Sequence, residues 1–347
     1  MGNILRIEAS GASLELDTAV GNIPYLRFTH GGRVLTPLHV AGWRDDAEVQ
    51  ADANIPMVEK RLAGDFFCAP FGASTEQGVP PHGWPANSEW SVERCTGGEA
   101  QLRLLRGVKG ATIEKHVKLA DDAPLLYQEH IITGGNDILS VAHHPIVHLA
   151  GKAKFCASPK RMARTPATPL EPGRARLAYP AQAQDLKKFP AHDGGIIDLT
   201  LLPIAKAHED FVVLIEERGH AIGWIAIVRE AENDIVFFLK DPEVLPFTLT
   251  WHSNAGRDYS PWNGQHTGVI GIEDGCVPVE LENLSDGLKL SPGVTHRVAH
   301  VTGAVVRPEG WSTVTDIKAI GSELWLENDK GQSISLPWRA DFLKGHA

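Results

Sequence analysis

Cysteine, surplus basic charge and long apolar runs are all scarce in this 347-residue chain. Lys and Arg number 33 against 43 Asp and Glu, a net charge of −10. That balance excludes the broad phosphate-binding surface a nucleic-acid partner needs. The cysteines, Cys68, Cys95, Cys156 and Cys276, form no CxxC pair. A zinc ribbon or thioredoxin motif is therefore unsupported, and their density is far below that of a disulfide scaffold. The longest apolar run, residues 221–228, is much too short to span a bilayer. The first residues, MGNILRIEAS, lack the apolar centre of a secretory signal, and Arg6 stands where a myristoylation motif needs Ser or Thr. A cytoplasmic protein without a membrane partner is expected.

What the chain does have is 43% hydrophobic and 22% charged residues, the composition of a globular protein with a large core. Its 34 glycines and 23 prolines favour many short elements joined by turns. Strand-like patterns occur at 101–105, 111–119, 125–133, 211–216, 221–228, 234–239 and 247–252. Residues 324–326 and 333–336 flank Asn328-Asp329-Lys330-Gly331, a good hairpin turn. Helical spacing is confined to 45–53 and 201–209. There is no βαβ rhythm and no repeat of 20–50 residues. The prediction is an all-β fold, a large antiparallel β-sandwich with few short helices. It is read as a single domain over 1–347, with residues from about 301 forming a C-terminal β extension. Two irregular stretches, 64–90 and 251–262, are candidate functional loops.

Three contexts stand out among 16 histidines. In Pro81-His82-Gly83-Trp84-Pro85, a rigid loop holds an imidazole beside an aromatic face that either packs on a pyranose ring or plugs the core. In Ala142-His143-His144-Pro145-Ile146-Val147-His148, strand geometry puts His144 and His148 on one face and His143 on the other. Acid/base chemistry, core packing and metal ligation all remain open for these imidazoles, although Pro145 argues against a helical HxxxH zinc pair. In Gly268-Val269-Ile270-Gly271-Ile272-Glu273-Asp274, a carboxylate ends an apolar strand, where burial raises its pKa toward that of a general base.

Together these segments resemble the galactose mutarotase (aldose 1-epimerase) superfamily. His82-Gly83-Trp84 is similar to its His-Gly loop, residues 143–151 to its Asn-His-x-Tyr-Phe-Asn-Leu-x-Gly segment, and residues 261–273 to the segment ending in its catalytic glutamate. This sequence departs at His143, Ile146, Val147 and His148, and the family's arginine region before the His-Gly loop is not clearly reproduced. The resemblance implies a mutarotase-like supersandwich that interconverts sugar anomers without metal or cofactor. Glu273 is then the base, His144 the acid and His82 a hydrogen-bonding partner near the ring oxygen. Trp84, Trp251 and Trp262 are candidate stacking platforms, Lys60, Arg61 and Arg257 candidate hydroxyl or carboxylate ligands, and His148 a further substrate contact. The implied partner is a monosaccharide or related sugar. A non-catalytic sugar-binding protein and a metal enzyme built on His143, His144 and His148 are the alternatives.

Overall fold

The computed structural model describes residues 3–73, 76–278 and 286–344. Two large antiparallel sheets face each other. In the eleven-stranded sheet, the central run is Asn22–His30, Asp65–Cys68, Ala142–His148, Val269–Gly275, Phe247–Asn254, His208–Glu216 and Lys160–Arg164. The nine-stranded sheet centres on Ala153–Ala157, Gly223–Arg229, Asp234–Lys240, Thr295–Val306, Leu125–Gly134 and Ala111–Leu119. Between them lies the main core, with Leu14, Ile23, Phe67, Ile113, Ile132, Val236, Phe238 and Val298 all buried. The all-β sandwich read from the sequence is the observed fold.

Strand alternation then decides everything about the site. Along Asp65–Cys68, Phe67 enters the main core, while Phe66 and Cys68 pack on the opposite, outer face. The same period of two sends Val147, Ile270 and Ile272 inward and Ile146, Leu249, Trp251 and Val269 outward. The outer face is roofed by Trp43, Val49, Val58 and Leu62 from the segment before Asp65 and by Trp262 from the loop after Asn254.

The strands expected at 111–119 and 234–239 form as Ala111–Leu119 and Asp234–Lys240. A short helix forms at Ala47–Ala51, where the Asp46 carboxylate accepts the Glu48 and Val49 N–H groups. The helix expected over 201–209 does not form. Leu201–Leu202 pairs with the strand at Ala153, His208 opens a nine-residue strand, and Pro203 breaks any helix between them. The irregular stretch 64–90 contains the strand Asp65–Cys68, and residues 74 and 75 of it lie outside the described residues. The irregular stretch 251–262 is strand as far as Asn254.

Val301 lies inside the strand Thr295–Val306, hydrogen-bonded on both sides. Beyond it, Asp316–Ile320, Glu323–Glu327 and Ser333–Pro337 make a three-stranded sheet whose last hairpin turns at Gly331. Leu324, Leu326, Leu336 and Trp338 pack on Tyr127, Trp224 and Phe237, forming a second core against the back of the nine-stranded sheet.

Candidate active site

The register of two neighbouring strands builds the central pair. His143 pairs with Asp274 and Ile146 with Gly271, so His144 stands opposite Glu273. Side chains directly opposed on one face lie close enough to touch. Here His144 Nε2 and Glu273 Oε1 are 3.3 Å apart, and both side chains are buried. The imidazole is held flat: Phe66 stacks on it at 4.4 Å, His82 meets it edge-on at 5.2 Å, and Trp251 stands edge-on at 6.0 Å. Gly271 makes room for this. A β-carbon there would press on Trp251 and on His144 Cε1, at 3.2 and 3.3 Å.

His82 arrives from the loop, half-buried, with its backbone at φ 62°. The backbone locks it in place: its N–H donates to Gly72 O, and its carbonyl accepts from Ala69 N. Gly83 follows at φ 72°, and a β-carbon on it would sit 1.9 Å from Ala69 O. Only glycine fits this approach. Packing, reinforced by His144 and Arg257, pushes the His82 pKa down to about 3, so the ring is neutral at ordinary pH.

Arg257 borders the same space. Its guanidinium lies 4.3 Å above the Trp262 ring and 5.6 Å from that of Trp251. Its Nε is 3.1 Å from both Glu171 and Glu209. Glu209 also accepts from Trp251 Nε1 and Ser253 Oγ, and Tyr259 donates to Glu171. Burial raises the Glu209 pKa against the pull of Arg257 and these hydrogen bonds.

Of the residues expected at the site, His144, Glu273, His82, Trp251, Arg257 and Trp262 converge. The rings of Trp251 are covered by His266 at 5.0 Å and Phe211 at 6.2 Å, both nearly parallel, so this indole is scaffold rather than a stacking platform. Four other residues lie elsewhere. Lys60 turns into the fold and donates to Gln50 O. Arg61 joins Arg44 on the buried Asp17 carboxylate. The Trp84 ring packs partly on the main core and is capped by Arg106 at 3.3 Å. His148, at the exposed end of its strand, stacks on His39 at 5.9 Å in a separate groove of about 440 Å³ shared with Tyr25 and Gln265. Sequence reading missed Phe66, Cys68, Glu171, Glu209 and His266. Phe66 and Cys68 lie inside the stretch 64–90 and His266 inside the segment 261–273, but no motif marks Glu171 or Glu209.

His143, His144 and His148 do not gather round a metal: one faces the inner core, one the outer face and one solvent. A different trio, Asp65, His143 and His300, brings ligand-type atoms within 4.8 Å of one another between the sheets. Its fit to an ion is poor. The His143 and His300 rings stack at 4.6 Å and 12°, so their lone pairs lie in separate parallel planes. Charge there is already matched, with Asp274 on Lys240 and Asp65 beside buried Lys115.

No protein-family model and no curated protein matches the chain. Solved structures do. A galactose mutarotase-related enzyme from Lactobacillus acidophilus is 14% identical, with 88% of this chain and 98% of that chain covered at a TM-score of 0.58. An aldose epimerase homologue from C. elegans is 12% identical, with 89% and 100% covered at a TM-score of 0.61. A galactose mutarotase-like protein from Lactobacillus casei is also 12% identical, with 87% and 99% covered at a TM-score of 0.58. With these similarities over nearly its whole length, the chain has the galactose mutarotase-like, aldose 1-epimerase-type fold.

Proposed function

We propose that this protein is an aldose 1-epimerase-like isomerase that interconverts the anomers of a sugar by general acid and base catalysis. One observation carries the reading: His144 and Glu273, the two groups such a reaction needs, are cross-strand neighbours 3.3 Å apart at a sequestered face. In the proposed reaction the Glu273 carboxylate takes the proton of the anomeric hydroxyl while His144 delivers one to the ring oxygen. The C1–O5 bond breaks, leaving an open-chain aldehyde. After rotation about C1–C2, the O5 hydroxyl attacks the other carbonyl face. It returns its proton to the imidazole as Glu273 reprotonates the new anomeric oxygen, so atoms and charges balance over the cycle. Each positioned group contributes roughly 10²–10⁴-fold.

The test is anomer exchange, followed by polarimetry or NMR over a panel of free sugars. Wild-type protein is expected to accelerate it. Glu273→Gln is expected to lose at least about 100-fold while keeping its fold by circular dichroism. Full activity in Glu273→Gln would remove the carboxylate from the mechanism.

A second reading has its own support. Arg257 already covers the Trp262 face where a sugar ring would stack. Saturable sugar binding without exchange would identify a carbohydrate-binding protein on the same fold.

A further inference from the structure

Cys68 is the thiol that touches an imidazole of the candidate site. Its side chain lies on the same outer face as Phe66, directly beneath the His-Gly loop. Its Sγ is 3.3 Å from His82 Nδ1, which is the one side-chain hydrogen bond of His82 among the described residues. The ring is thereby anchored at one nitrogen. The ring meets that of His144 edge-on, with centres 5.2 Å apart.

The direction of this bond follows from chemistry. The thiol is fully buried, and burial, with Glu273 and Asp65 nearby, pushes its pKa well above the ordinary value. It therefore keeps its proton. His82 is neutral, as derived above, so one of its nitrogens bears a proton and the other a lone pair. Sulfur is a weak acceptor and an imidazole lone pair a strong one, so the favoured pairing has the thiol donating and Nδ1 accepting. The proton of His82 must then be on Nε2.

We propose that Cys68 is a positioning residue: its thiol fixes His82 as the Nε2–H tautomer, so that the loop presents a hydrogen-bond donor, not a lone pair, to an oxygen of the bound sugar. The tautomer rests on the 3.3 Å Sγ–Nδ1 contact between two neutral groups; the role toward a sugar rests on the aldose 1-epimerase reading. A donor at this point helps hold the oxygen on which negative charge develops as the ring opens or closes. A lone pair there would repel it. Serine offers the same kind of donor, whereas alanine and valine offer none.

The experiment is ring-¹⁵N NMR of the full-length protein labelled at histidine, joined to anomer-exchange kinetics. In wild type, His82 is expected to show a pyridine-type Nδ1 and a pyrrole-type Nε2 at pH 7. Cys68→Ser is expected to keep that pattern. Cys68→Ala is expected to shift the Nδ1 resonance toward that of an unbonded nitrogen and to lower kcat by about fivefold, the worth of one neutral hydrogen bond, with less change in KM. Partial recovery of kcat in Cys68→Ser then separates positioning from simple loss of packing. A proton on Nδ1 in wild type, or an Nδ1 resonance and kcat unchanged in Cys68→Ala, would overturn the proposal. If the wild-type protein exchanges no sugar tested, the aldose 1-epimerase reading fails on its own, and the NMR arm still decides the tautomer.

Discussion

Gly271 shows how one missing side chain shapes the candidate site. Any β-carbon at that position meets Trp251 and the edge of the His144 imidazole. Gly271→Val is therefore expected to turn the imidazole away from Glu273 and reduce anomer exchange by more than about tenfold. Overpacking should cost about 1–3 kcal/mol of stability, measured by urea unfolding. Wild-type rates in that variant would show that the close fit of the ring against position 271 is not needed. His82 carries a pH expectation. Its depressed pKa of about 3 leaves it neutral from pH 5 to 9. Replacing it with Gln is expected to lower the rate without moving either limb of the pH profile. At this scale the proximity of His144 and Glu273 was readable, because a motif resemblance singled both out. The sequence was unreadable where the placement depends on direction. Lys60 and Arg61 have the charge of substrate ligands, but one satisfies a backbone carbonyl and the other a buried aspartate. Nothing local distinguishes those outcomes from a cation in a pocket.

Adjacent residues of one strand serve opposite sides of the eleven-stranded sheet. Glu273 faces the site, and Asp274 faces the interior, bound by Lys240 at 2.8 Å, Thr248 at 2.6 Å and His300 at 3.0 Å. Lys240 also meets Glu216, which holds Lys160. This buried network pins the strand's register, and a slip of one residue would send Glu273 inward. Lys240→Met should leave Asp274 buried without its cation, costing about 3–5 kcal/mol in denaturant unfolding. An unchanged midpoint would show that the ion pair does not hold the strand. Burial alone would raise the Asp274 pKa, but Lys240 and His300 hold it well below the carboxylate range. A depressed carboxylate stabilises the fold above its unfolded pKa near 4, and that contribution is lost as pH falls below it. Strands such as Ala111–Leu119 were legible because one face is polar. The start of His208–Glu216 was not, because His208, Glu209 and Asp210 are polar residues buried for internal hydrogen bonds.

Across the whole molecule, two cores lie on either side of the nine-stranded sheet, and a third lies beneath the site. The last three strands belong to the outer of these. We read the chain as one folding unit, in which case Trp338→Ala lowers the midpoint of a single unfolding transition, at a cost of about 3–5 kcal/mol. A separate early transition, seen by hydrogen exchange over Asp316–Pro337, would instead mark an independent module. The fold class was legible because glycine, proline and alternation are distributed along the entire chain. The assembly of His82, His144 and Glu273 depended on long-range pairing, which only a motif resemblance hinted at. The three-stranded sheet has one more effect. By covering Tyr127, Trp224 and Phe237 with its own leucines and Trp338, it removes that apolar surface from reach of any second subunit. Any dimer of this chain must be assembled from other parts of its exterior.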